Sequence, residues 1–161
     1  MSNSMQNITG QNRYRLILSG ERFRNNPLEL NLVGVTMPGI SAAITELPTP
    51  IRPVPQPGGS LTFDDLFVNF IVSEDLSEWI YLFNWIREIN YGSSVSANPY
   101  YTEAELIILT NKFNPLLSFT FHGAFPYILG VVDFRDDVPT IDTMTSSATF
   151  KFHDYTLNTK L

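Results

Sequence analysis

With 161 residues, 43% of them hydrophobic and 13% aromatic, the chain can fill one folded core, which excludes general disorder away from the ends. A net charge of −6 argues against nonspecific attraction to nucleic acid. The absence of cysteine excludes disulfides, thiolate metal sites and a cysteine nucleophile.

The chain reads as a single domain over residues 1–161. Residues 1–11 are polar and are expected to be flexible or ordered only by a partner. They lack the apolar core of a signal peptide, and no apolar run approaches the roughly 18–20 residues of a membrane span. A soluble protein, not secreted by the usual route, is expected.

In RYRLIL, Tyr14, Leu16 and Leu18 alternate with Arg13, Arg15 and Ile17, which predicts a strand. Leu28, Leu30 and Leu32 alternate with Glu29 and Asn31, predicting a second strand over 28–36, paired with the first as a hairpin. Met37-Pro38-Gly39 ends it.

Residues 40–59 carry prolines at 48, 50, 53, 55 and 57 and read as a long connection. Its apolar residues Ile44, Leu47, Ile51 and Val54 fit either packing on its own domain or an arm that reaches another subunit. Proline would stiffen such an arm and lower the entropy lost on docking. Ile44, Leu47, Pro48, Ile51, Val54 and Pro57 are the candidate contacts between subunits or rings.

A strand is expected over 60–73, with Leu66, Val68, Phe70 and Val72 on one face and Asp65, Asn69 and Ser73 on the other, alongside Phe67 and Ile71. Asp75 is the expected N-cap of a helix over 76–90, with Glu78 completing a capping box. Leu76, Trp79, Ile80, Phe83, Ile86 and Ile89 recur at helical spacing, so Trp79, Phe83 and Ile86 are expected to face the core. The helix should end at Gly92 in a left-handed conformation. Residues 104–113 read as a central strand, broken at Asn114-Pro115. A hairpin with a turn of about two residues should lead into 116–123, where Leu117, Phe119 and Phe121 alternate with Ser118, Thr120 and His122. Residues 145–157 form the last expected strand, with Phe150 and Phe152 opposite Thr149, Lys151 and His153. The fold class is mainly β (α+β): an antiparallel β-sandwich or barrel with one flanking α-helix.

No catalytic constellation is present. His122 and His153 fit ordinary sheet residues better than a two-histidine metal site. Asp133, Asp136, Asp137 and Asp142 lack the spacing of a calcium loop and read as a solvated turn. Asp64 and Asp65, adjacent in a strand, would point to opposite faces. There is no glycine-rich phosphate loop. The chain is not expected to be an enzyme or to hold a metal or cofactor.

Two segments resemble the tail-tube proteins of contractile-tailed bacteriophages. In GGSLTFDDLFVNFIVSED and the helix after it, Gly59, Thr62, Phe63, Asp64, Asp65, Glu74, Asp75 and Trp85 match; Leu66 stands where a Trp is usual. In FHGAFPYILGVVDFRDD, Gly123, Phe125, Pro126, Gly130, Val132 and Phe134 match, loosely after Gly130. With length and element order, the resemblance spans nearly the whole chain.

The resemblance implies a subunit of hexameric rings that stack into a tail tube inside a contractile sheath, a structural part of the virion made in the host cytoplasm. Its partners would be further copies of itself, the sheath protein, and baseplate-hub and terminator proteins. DNA would pass through the lumen without specific binding, and a net negative subunit would repel its phosphates. Glu29, Asn31, Asp65, Asn69, Ser118 and Thr120 are the candidate lumen-facing positions, from alternation alone. A baseplate-hub or tube-initiating paralogue, or a tail terminator, would form a single ring by the same interface. A different reading is a monomeric β-domain binding a small ligand, with Trp79, Trp85, Tyr100 and Tyr101 as stacking surfaces.

Overall fold

The computed structural model describes residues 14–25, 27–92, 100–110, 112, 114–134 and 143–159. The segment 1–11 and the residues Asp136, Asp137 and Asp142 lie outside the described residues.

Strands form where apolar and polar side chains alternate. β1 (Tyr14–Ser19) buries Leu16 and Leu18 and exposes Arg15. A short 3-10 turn (Glu21–Phe23) sends Phe23 into the core. The expected second strand is split at Asn31 into β2 (Leu28–Leu30) and β3 (Leu32–Thr36). β2 pairs with β1 as the hairpin reading requires, but β3 pairs elsewhere, with β6 (Leu66–Ile71).

The proline-rich segment is not an irregular loop. Ile40–Leu47 (β4) and Val54–Phe63 (β5) form an antiparallel two-stranded ribbon. Proline is tolerated because β5 is an edge strand, where a missing N–H costs no ladder bond if it faces outward. The expected long strand over 60–73 is thus two strands, β5 and β6, broken at Asp64-Asp65, so these aspartates lie in an elbow and not within one strand. The ribbon continues the β3–β6 ladder beyond that elbow, where the Asp64 N–H donates to the Gly39 carbonyl at 3.0 Å. In β6, Leu66, Val68 and Phe70 are buried, as their alternation implies.

The helix α1 (Ser77–Tyr91) follows the expected bounds, but its inward face differs. Leu82 and Trp85 are the buried residues, while Phe83 is 40% and Ile80 45% exposed. Trp79 is partly buried against the core, and Ile86 is half-buried. The helix is apolar on two faces, and the larger indole of Trp85 takes the interior. Its start differs too. Leu76 occupies the N-cap in a left-handed conformation (φ 56°), so Asp75 is not the cap; its Oδ1 accepts from the Ser77 N–H. Glu78 reaches back to the Ser73 N–H at 3.2 Å and also accepts from the Ser73 hydroxyl, so both bonds run from Ser73 to the Glu78 carboxylate and no reciprocal capping box forms. Gly92 is extended at φ −61°, not left-handed, and its N–H donates to Glu88 O at 2.8 Å.

β7 (Thr102–Leu109) is central, between β1 and β8 (Pro115–Leu129). Residues 110–114 connect them, with the Thr110 N–H bonded to Asn114 O at 2.7 Å, so the turn is longer than about two residues. The last expected strand is two: β9 (Thr145–Lys151) and β10 (Asp154–Asn158), parted at Phe152-His153.

The strand order is β2-β1-β7-β8-β9-β6-β3, with β10 also on β8, and each neighbouring pair is antiparallel. β8 serves two halves. Its first part pairs with β7 and β10, and residues Phe125 to Leu129 pair with β9. The change of direction falls at Gly123, φ 65°, where a Cβ would run into the His153 ring. Asn31 alone separates β2 and β3, which lie at opposite ends of the strand order, so the sheet curls back on itself. The Tyr14 hydroxyl bonds Val33 O at 2.8 Å across that closure, and the Ile71 N–H bonds Asn31 O at 2.7 Å, extending the β3–β6 ladder to the crossing. The result is an antiparallel, barrel-like β fold with one helix. Leu16, Leu30, Leu66, Phe70, Leu106, Phe121 and Phe150 fill its interior, and α1 adds Leu82 and Trp85 to the same cluster.

Candidate assembly surfaces

Three surfaces remain once the core is filled. The first is the outer face of β2-β1-β7-β8-β10. Side chains directly opposite in register share a face. Glu29 lies opposite Ile17, Ile17 opposite Glu105, Glu105 opposite Thr120, and Thr120 opposite Thr156. Glu103 and Asp154 stand on the same face. The Arg15 guanidinium makes two bonds to Glu29, at 2.6 and 2.7 Å, and holds that carboxyl below its usual range. His122 approaches Glu103 at 3.6 Å and Thr156 at 3.2 Å. The His153 ring instead meets Tyr101, and its backbone N–H bonds the His122 carbonyl at 2.9 Å. This face is therefore rich in carboxylates, with Arg15 already committed to one of them.

Of the candidate lumen positions, this face brings together Glu29, Thr120 and Ser118. Glu103, Glu105 and Asp154 join them without having been singled out in the sequence. The signal was available: Glu103 and Glu105 are the polar half of an alternating stretch whose other half, Thr102, Ala104 and Leu106, is buried. Ser118 is 0% exposed and cannot serve as a lumen-facing residue in this subunit. It sits in register between Ile107 and Asn158, and its hydroxyl is buried. Asn31 lies at the β2–β3 crossing, and Asn69 faces outward on β6, opposite Ser147. Asp65 lies at the elbow, bonded to the Tyr127 hydroxyl and paired with Lys151. These three do not join the carboxylate face.

The second surface is the β4–β5 ribbon. Ile44, Leu47, Ile51 and Val54 are exposed, Ile51 at 94%, and so are Ile40 and Leu61. Pro48 and Pro57 are exposed as well. The ribbon presents apolar side chains to solvent with no core of its own beneath them.

The third is the outward stripe of α1. Trp79 and Phe83 stack at 5.3 Å, and the Arg87 guanidinium lies over Phe83 and Tyr91 at 5.7 and 5.9 Å. The Trp79 indole N–H donates to Gly130 O at 3.0 Å. Trp85 is fully buried and gives its N–H to Tyr100 O at 3.1 Å, so Trp79 and Trp85 do not form an open stacking platform. Among the described residues there is no group of three or more His, Asp or Glu that could hold a metal ion, and no helix long and apolar enough to cross a membrane.

Over 163 residues, covering 94% of this chain and 92% of that protein, the sequence is 27% identical to the tail tube terminator protein of Enterobacteria phage T4. The fold superposes on a chain of the anti-feeding prophage baseplate, with a TM-score of 0.72 at 12% identity over 98% and 100% of the two chains. It also matches a chain from the sheath/tube terminator of an extracellular contractile injection system, with a TM-score of 0.70 at 16% identity over 96% and 99%. The chain has the fold of contractile-injection tube and terminator subunits. No protein-family model matches it. The tube-type fold accounts for the curled sheet with one covering helix, and its occurrence in both baseplate and terminator means that fold alone does not separate those roles.

Proposed function

We propose that the chain is a structural subunit of a phage-type contractile tail that forms a single hexameric ring closing the tube as its terminator. The observation that carries this reading is the sequence similarity to a tail tube terminator along nearly the full length of both proteins. It favours the single-ring alternative over the repeating tube subunit that the sequence motifs first suggest.

The physics of the subunit supports a ring. Among the described residues β10 pairs only with β8 and β2 only with β1, so the sheet ends in strands with an unpaired side, an aggregation liability that ring closure removes. Head-to-tail joining of such edges is a heterologous interface, which closes into a ring when the rotation allows. The carboxylate face of β2-β1-β7-β8-β10 then lines the lumen, where it repels phosphates and lets DNA pass without sticking. The ribbon would meet a neighbouring copy or ring. Sheath and baseplate or neck proteins would be the further partners, and the protein would reside in the virion tail.

Negative-stain electron microscopy over a concentration series tests this. Six-fold rings of constant height at every concentration are the expected result. Hollow tubes that lengthen with concentration would return the chain to the repeating-subunit reading, and monomers throughout would overturn both.

A further inference from the structure

The two edges of the β4–β5 ribbon are chemically unlike. Proline has no N–H, so Pro55 and Pro57 fit β5 without loss only where the nitrogen points away from β4. Their register partners are Glu46 and Ile44. In an antiparallel ladder both members of such a pair turn their backbone groups outward. Thr45 and Gln56, the pair between them, exchange the ladder bonds. The outer edge of β4 therefore offers the N–H and C=O of Ile44 and Glu46. The outer edge of β5 offers carbonyls there but no donor at 55 or 57.

We propose that the ribbon joins a second copy of this chain by strand addition along the outer edge of β4, and that Pro55 and Pro57 close the β5 edge to the same reaction. The inference rests on the ring-forming reading above and specifies which edge of the ribbon makes the contact, and by what bonding. Charge selects a second copy as the occupant. Between residues 40 and 63 the only charged side chains are Glu46 and Arg52, so this segment is neutral in a chain of net charge −6. Two acidic copies meet there with the least repulsion. The need for a partner is plain from the ribbon itself, since a two-stranded hairpin is marginal alone in water and this one holds its apolar side chains exposed. Strand addition supplies backbone bonds for affinity, and the exposed side chains of Ile44 and Leu47 supply specificity.

Sedimentation velocity of the full chain, which has no cysteine to cross-link copies, separates the outcomes. Glu46→Pro removes one outward donor and leaves the ladder to β5 intact; it should raise the concentration for half-assembly by about tenfold. Glu46→Ala keeps the donor and should assemble as the parent does. Assembly of Glu46→Pro equal to that of Glu46→Ala would overturn the proposal while leaving the ring reading intact, whereas a parent chain that stays monomeric at every concentration would sink both. Amide exchange of the parent chain decides the same question even where the proline variant misfolds. The Ile44 and Glu46 amides should be fast in the dilute subunit and slow in the assembly, with Gln56 slow in both. Unchanged exchange at 44 and 46 on assembly refutes strand addition. Pro55→Ala with Pro57→Ala restores two donors to β5 and should give larger, irregular species; a sedimentation profile like the parent's refutes the blocking role of the prolines.

Discussion

The indole N–H of Trp85 donates to the carbonyl oxygen of Tyr100 at 3.1 Å, while its ring meets Phe150 edge-on at 6.4 Å and Phe23 at 5.6 Å. One side chain thus ties the helix to the start of β7, to β9 and to the 3-10 turn. Trp85→Ala should cost about 3–5 kcal/mol by cavity formation and lost transfer energy. Trp85→Phe should cost less, adding to the lost volume about 1–3 kcal/mol for the unpaired Tyr100 carbonyl. Urea denaturation of the two variants reads both values, and a Trp85→Phe cost well under about 1 kcal/mol would count against the hydrogen bond.

The phase of the helix gives a second expectation. Leu82 is fully buried and Phe83 is not. Leu82→Ala should destabilise by about 2–5 kcal/mol, and Phe83→Ala by less than about 1 kcal/mol despite its larger side chain. Equal losses in thermal melts would mean that the stacked Trp79–Phe83 pair belongs to the core after all.

At Gly123 the backbone is left-handed and the His153 ring occupies the space of a side chain. Gly123→Ala should cost about 1–2 kcal/mol for the backbone alone, and more for the displaced ring. Gly59→Ala, with open space around the site, is the comparison that should cost little. Melting temperatures of the pair check the difference.

The elbow titrates. Lys151 first, then the Tyr127 hydroxyl, hold the Asp65 carboxyl below its usual range. A depressed carboxylate contributes stability that is present above its unfolded pKa of about 3.9 and is lost as pH falls through the folded value. Between pH 7 and pH 3 the parent should therefore lose more stability than Asp65→Asn, so that the two melting curves converge in acid. The exposed setting keeps the difference small. Curves that run parallel across this range would show that the pair contributes nothing.

Alternation made the main strands legible. Leu66, Val68 and Phe70 against Asn69, and Leu16 and Leu18 against Arg15, are period-two patterns with one dry face, and the structure buries the expected members. The helix was legible in its bounds and not in its phase, because Ile80 and Phe83 make an apolar stripe as good as Leu82 and Trp85. Only the shape of the cavity under the helix decides between them. The ribbon was hidden by Pro55 and Pro57, which forbid a central strand and say nothing against an edge. Of the candidate lumen positions, Glu29 and Thr120 share a face because register aligns them. Ser118 does not reach the surface, since alternation gives the side of a sheet and not the depth of burial on it. Similarity to a terminator concerns the whole chain, and no single motif carries it.

β8 runs through both halves of the curled sheet, bending once at Gly123. Neither half can therefore complete its hydrogen bonds without the other. β7 and β10 need the first part of this strand, β9 needs the second, and the two parts are one covalent segment. The subunit should accordingly melt in a single transition, since a half-sheet left alone would lose part of the strand it pairs with.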